Sequence, residues 1–321
     1  MQKNTTPNET FIELMREKLP EHAKLTNFLV NLLFIEKEAV YRRLRGEVPF
    51  TFAEVVKIAK ELNISLDGIN GEASPRSRPF HIKLIEYDQP AEIDYYMLNE
   101  YVDVLRAQKQ SSYSEFGAIS GVLPSFFYMR YDTLYRFFIL KWLYEFGDPS
   151  STKKFSQISL SNRLKEIGDD YLVQVKNMSY TYFILDELLF YYLVKDIKYF
   201  KEVRLVSEDD IKELKKDLLC LIKEMEELTA KSVFDNGHKI HLHVSTLHFE
   251  SNYSYLQGDH INLSLIKAYT FNEIASLDET VFHKMKTWIQ SLKRTSILIS
   301  GSGEIERLKF FEKQKSYIDT L

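Results

Sequence analysis

Apolar residues recur at helical spacing through the first sixty positions. Residues 10–19 carry Phe11, Leu14 and Met15 on one face, and 24–33 carry Leu25, Phe28, Leu29, Leu32 and Leu33. Residues 37–45 are short and basic. Residues 51–62 place Phe52, Val55, Val56, Ile58 and Ala59 in the same rhythm, and 65–69 form a last short turn. Spacings of three and four put side chains on one side of an α-helix, so this stretch predicts four or five packed helices. The rhythm stops at 70–79, where Gly71, Ser74, Pro75, Ser77 and Pro79 mark a linker. The pattern thus divides the chain into a helical domain at 1–70, a linker at 71–79 and a large domain at 80–321.

Beyond the linker the texture is mixed. Residues 80–86 and 116–123 predict strands, and 91–110 a helix with Ile93, Met97, Tyr101 and Leu105 in line. Four long helical stretches are expected at 125–146, 160–175, 182–203 and 207–232, the last opened by Ser207 as N-cap. From 239 the period shifts toward two, and 239–249, 253–257 and 260–270 predict an antiparallel meander turned at Asn252 and Gly258-Asp259. A helix at 277–293 with Ser276 and Glu279 as a capping box, a short strand at 296–300 and a helix at 304–318 complete the pattern. The expected fold is mainly α with a smaller β part: a helical N-terminal domain, a helical region, and a C-terminal α+β segment, the large domain being one unit or divided near 236.

Composition narrows the setting. The 321 residues exceed what one core usually serves, which agrees with more than one domain. The most apolar stretches, 126–146 and 180–199, are interrupted by Arg130, Asp132, Arg136, Lys141 and Glu145 and by Asp186, Glu187, Lys195 and Asp196, so neither predicts a membrane span. The first ten residues are polar and lack the apolar core of a secretion signal. Cys220, set in a Leu-Leu-Cys-Leu-Ile run, is expected to be buried, and a single cysteine allows no intrachain disulfide, as suits a reducing cytoplasm. The net charge of −4 excludes a large basic surface, so any contact with nucleic acid must come from a local cluster.

Such a cluster stands at Lys37, Arg42, Arg43 and Arg45, inside a segment otherwise close to neutral. Val40 and Leu44, four apart, can pin the helix to Leu29, Leu33 and Ile35. Lys37, Glu38, Tyr41, Arg42 and Arg45 are then left on other faces. Arginine can grip guanine O6 and N7 together, tyrosine can meet a phosphate or a thymine methyl, and a carboxylate such as Glu38 can accept from a cytosine amine. Arg43 either lies along the edge of the core or contacts phosphate. Gly46 ends the helix where a left-handed residue is cheap, and Thr51 can cap the next one.

The apolar turn Leu33-Phe34-Ile35, the block from Ala39 to Gly46 and the follow-on from Pro49 to Leu66 together resemble the Cro/phage-repressor (XRE-like) helix-turn-helix family, over about a fifth of the chain. The resemblance implies a sequence-specific transcriptional regulator that binds double-stranded DNA as a homodimer, with Lys37, Glu38, Tyr41, Arg42, Arg43 and Arg45 at the interface. Residues 80–321 would then dimerise and sense a small-molecule or protein effector.

Weaker signals point elsewhere. His241 and His243 share one strand face, with His238 and His248 nearby, which leaves a metal-dependent enzyme fused to the helix-turn-helix as an alternative, though no carboxylate or cysteine completes a ligand set. Gly301-Ser302-Gly303 precedes a helix but is followed by Glu304 and Glu306. The aromatic stripe Phe126, Phe127, Tyr131, Leu134 and Phe138 reads first as core, and the charged run 212–227 as a solvated or dimerising helix face, so a protein-interaction module is a further alternative. No catalytic residue, metal or other cofactor is expected.

Overall fold

Thr6 opens the first helix by accepting the Glu9 N–H, while the Glu9 carboxylate accepts from the Thr6 N–H at 2.7 Å. This reciprocal cap, with Pro7 in the first turn, starts α1 (Pro7–Lys18) three residues before the apolar pattern does. Then come α2 (His22–Leu33), α3 (Lys37–Leu44) and α4 (Phe52–Leu62). The computed structural model describes residues 6–62, 64, 66, 80–146, 152–249, 251–259, 261–268 and 270–321. The linker expected at 71–79 and, apart from Leu66, the short turn expected at 65–69 lie outside the described residues. The chain divides into two compact units, Met1–Pro79 and Phe80–Leu321.

In the first unit Phe11, Met15, Leu25, Leu29, Val40, Leu44, Phe50 and Ile58 form one core. Arg16 donates to the Leu44 carbonyl at 3.1 Å and so satisfies the end of α3 from α1. Asn8 accepts the Phe50 N–H at 3.2 Å and holds the approach to α4. Phe34 ends α2 in the left-handed region, with φ 54° and ψ 44°, and is 88% exposed. Its ring therefore gains little burial against the backbone strain it incurs.

The second unit is built on one mixed sheet of eight strands. They are β1 (His81–Ile82), β2 (Glu115–Ser120), β3 (Tyr180–Asp186), β4 (Lys239–Ser245), β5 (Tyr253–Gln257), β6 (Asn262–Lys267), β7 (Glu273–Ser276) and β8 (Ile297–Leu298). Their order is β1-β7-β6-β5-β2-β3-β4-β8. β2, β3 and β4 run parallel at the centre, and every other pairing is antiparallel. The edges are two-residue strands, too short to template pairing with another chain.

Between these strands lie α5 (Glu92–Ala107), α6 (Ser125–Tyr128), α7 (Asp132–Phe146), α8 (Asn162–Lys176), α9 (Leu189–Glu202), α10 (Glu208–Lys231) and α11 (Glu279–Thr295), and α12 (Glu304–Asp319) follows the last of them. One sheet face, with Phe116, Ala118, Phe183, Leu185, Ile240 and Leu242, joins α5 to α10 and α12 in the main core. The other face, with Ile119, Tyr182, Ile184 and Tyr255, packs on Phe282 and Ile289 of α11.

Several expectations are corrected here. Residues 180–186 are a central strand and not the start of a helix, because a strand covered on both faces loses its polar alternation and reads as an apolar run. The helix expected at 125–146 is broken at 129–131 into α6 and α7. The meander consists of β5, β6 and β7, whereas β4 pairs in parallel with β3, so the large domain is not divided near 236. Asp278, not Ser276, caps α11 by accepting the Val281 N–H at 2.9 Å. Cys220 is exposed, since α10 turns Leu218, Leu221, Ile222 and Met225 inward and Cys220 outward. Ser207 does cap α10, in a reciprocal cap with Asp210. The aromatic stripe is core as expected, with Phe126, Phe127, Leu134 and Phe138 buried in the main cluster and Tyr131 packed against it, and Phe126 and Phe127 also border a cavity of about 240 Å³ between α6, α8 and α10.

Gly117 sits in β2 between Tyr182 and Tyr255, its register partners on either side. The two phenols meet across it at 2.9 Å, and a Cβ there would lie 2.7 Å from each ring. Gly117→Ala is therefore expected to lower stability by about 1–3 kcal/mol in denaturant unfolding of the full chain. Phe34→Gly should do the reverse and add about 0.5–1 kcal/mol, because relief of a left-handed side chain exceeds the entropy that glycine adds to the unfolded state.

Candidate nucleic-acid interface

Helix α3 follows α2 across a three-residue turn and is held by Val40 and Leu44, both buried against the first unit's core. Leu33 and Ile35 pack at the edge of that core, as the spacing requires. Burying these residues fixes which side of α3 faces outward. Lys37, Glu38, Arg42 and Arg45 are exposed and Tyr41 is half-buried. Gly46 takes φ 76°, with space around its Cα, and the Glu47 N–H bonds back to the Arg42 carbonyl at 2.9 Å to close the helix.

The outward side chains are ordered by one another. Tyr41 stacks on His22 of α2, with ring centroids 5.7 Å apart, and the Lys37 ammonium lies 5.9 Å from the Tyr41 ring. Arg45 donates to Glu47 at 2.6 Å and to Glu38 at 3.4 Å, and Arg42 lies 3.7 Å from Glu47. The hydrogen bond from Arg45 holds the Glu47 carboxyl below its usual range. Each of these arginines thus starts from an exposed internal partner, which a phosphate or base edge must replace. Such exposed pairs are worth little in water, so they orient the guanidinium groups without locking them.

Arg43 is placed differently. It forms a two-pronged pair with Glu54 of α4 at 2.9 and 3.2 Å, and the side chains are only 16% and 15% exposed. Glu54 also accepts the Thr51 N–H at 2.8 Å, and Thr51 caps α4. Of the two roles open to Arg43 in the sequence, lying at the core edge is the one its geometry fits, as a tie between α3 and α4. His22 and Glu47, which contact Tyr41 and Arg45, are the neighbours of the candidate site that sequence patterning missed. His22 lies a helix away from Tyr41, and Glu47 follows the helix in a turn.

The other histidines do not converge. His241 meets the Tyr180 hydroxyl at 3.0 Å, and His248 meets Asp186 at 2.9 Å. His243 is buried, and desolvation followed by Lys293 and His241 pushes it down to about 4. Among the described residues, no group of three His, Cys, Asp or Glu side chains is arranged to hold a metal ion. Behind Gly301-Ser302-Gly303, Arg307 donates to the Ile299 and Gly301 carbonyls. No helix among the described residues is long and apolar enough to cross a membrane.

Partial burial pushes the Glu54 carboxyl up, but the bonds from Thr51 and Arg43 outweigh it and leave it below the ordinary carboxylate range. A carboxyl lowered by folding adds stability above its unfolded pKa and loses it as pH falls through the folded one. Glu54→Gln should therefore destabilise the first unit by about 1–2 kcal/mol at pH 7. In pH-dependent melting of the full chain, that deficit should fade below about pH 4.

No curated protein and no solved structure matches the chain. Residues 8–77 match the model of the BetR domain, a helix-turn-helix-type DNA-binding domain associated with regulators.

Proposed function

We propose that this protein is a sequence-specific transcriptional regulator that reads DNA in the manner of the Cro/phage-repressor type. The observation that carries the proposal is the arrangement of α3 within the matched domain: Val40 and Leu44 face inward, while Lys37, Glu38, Tyr41, Arg42 and Arg45 face outward. A helix of eight residues fits the major groove but reaches only a few base pairs. Adequate specificity then calls for two copies, so the regulator acts as a homodimer whose α3 helices lie about one DNA turn apart, on the order of 34 Å. Arg42 and Arg45 contact base edges or phosphate, Lys37 and Tyr41 the backbone, and Glu38 a cytosine amine or Arg45 itself. Arg43 supports the helix from behind. The protein acts in the cytoplasm, without a catalytic residue, and its second unit responds to an effector.

Gel-shift titration of the full chain over genomic fragments at rising salt tests this. Arg42→Ala combined with Arg45→Ala should weaken binding at least tenfold and flatten the logarithmic salt slope by about two per protomer. Glu47→Gln should tighten binding, because it removes a competitor for both arginines. Binding unchanged in the double variant overturns the assignment.

A further inference from the structure

A second site lies in the large unit, on the sheet face that carries the main core. Lys267 near the end of β6 and Glu273 at the start of β7 are direct partners in an antiparallel pair, so both side chains stand on the same face. Both are half-buried and line a cleft with Tyr101 of α5, Tyr171 of α8, Ser120 and Asn252. Opposite charges placed in this way ordinarily join. Here no oxygen of Glu273 comes within 4.0 Å of the Lys267 ammonium, and among the described residues neither side chain makes a hydrogen bond.

Burying charged groups without partners is costly. Desolvation pulls Lys267 down to about 8 and pushes Glu273 up to about 7. The rest of the cleft wall is aromatic and polar. Tyr101 and Tyr171 face each other with ring centroids 6.0 Å apart. Nearby, the Tyr128 hydroxyl is fully buried without a partner among the described residues, within electrostatic reach of Tyr171 and Glu273. Asn252 accepts the Gly121 N–H at 2.7 Å through Oδ1. Buried hydroxyl and charged groups normally find partners. A gap between a cation and an anion that do not touch, bordered by phenol faces, has the complementarity of a guest carrying both charges.

We propose that this cleft binds a small α-amino acid, with its carboxylate toward Lys267 and its ammonium toward Glu273 and the phenol rings of Tyr101 and Tyr171. The ammonium would gain from the ring faces as well as from the carboxylate. Size sets the upper limit. The cavity is about 50 Å³, on a scale where one buried water needs roughly 10–15 Å³. That leaves room for a handful of heavy atoms, which points to glycine, alanine or serine and excludes long side chains. The site stands on its own geometry, and only its role as the effector site of the regulator rests on the function proposed above.

Thermal melting and calorimetric titration of the full chain with glycine, alanine and serine test the proposal, with acetate and methylammonium as half-ligands. At least one amino acid should raise the melting temperature saturably, and neither half-ligand should do so at the same concentration. Lys267→Met and Glu273→Gln should each weaken binding at least tenfold and melt no lower than the parent, because each removes a half-buried charge that feels its opposite only at a distance, with no hydrogen bond or close ion pair to lose. The proposal fails if no amino acid saturates, if either half-ligand binds as well, or if the variants bind unchanged. It also fails if they melt well below the parent, as loss of a structural ion pair would require. Gel shifts run separately, so loss of DNA binding with amino-acid binding intact would count against the regulator and not against the site.

Discussion

The second unit depends on β2 having no free side. All six of its residues are buried. It pairs in parallel with β3 along one edge and antiparallel with β5 along the other. Within the ladder of strands, the parallel centre, with its long helical crossovers, and the antiparallel β5-β6-β7 meander are joined only through this strand. Its two faces also keep the two cores apart, with Phe116 and Ala118 on the helical side and Ile119 on the side of α11. Gly117 is the point of closest approach. By lacking a Cβ it lets Tyr182 and Tyr255 meet over the strand, where Tyr255 in turn donates to the buried Glu115 carboxylate.

In the first unit the same economy separates holding from reading. Residues of one short helix serve two ends according to where the helix turns them. Val40 and Leu44 seal the core, Arg43 reaches sideways to Glu54, and Arg42 and Arg45 remain outside with exposed glutamates as partners. A largely buried two-pronged pair is more costly to break from one side than an exposed one, which exchanges readily with solvent or ligand. Of three arginines within four positions, two therefore remain in exposed, exchangeable pairs and one is committed to the fold.

Much of this was legible in the sequence where spacing alone decides the outcome. Val40 and Leu44 four apart, Gly46 after them and Thr51 before the next helix sufficed to place α3 and α4. The fate of Arg43 was not legible, because Glu54 lies on another helix and nothing local distinguishes it from other exposed acids. The strand at 180–186 escaped because burial on both faces removes the alternation by which strands are known, and the apolar run continues into α9. Lys267 and Glu273 were invisible for the opposite reason. In an alternating strand a charged residue reads as solvent-facing, and only the helical layer laid over the sheet shows that these two are half-buried. Register, which sets Lys267 against Glu273, arises from pairing between strands and leaves no mark in either one.

The ties of the first unit span short stretches of chain: Arg16 reaches Leu44 over 28 residues and Asn8 reaches Phe50 over 42. In the second unit Tyr255 reaches Glu115 over 140 residues, and Ile85 reaches Asn272 over 187. Chains with local contacts fold orders of magnitude faster than those that must first close long loops. The four-helix unit accordingly completes its fold well before β2 acquires both neighbours. During synthesis or recovery from stress, there is then an interval in which the helices of the first unit are formed and the sheet of the second is not.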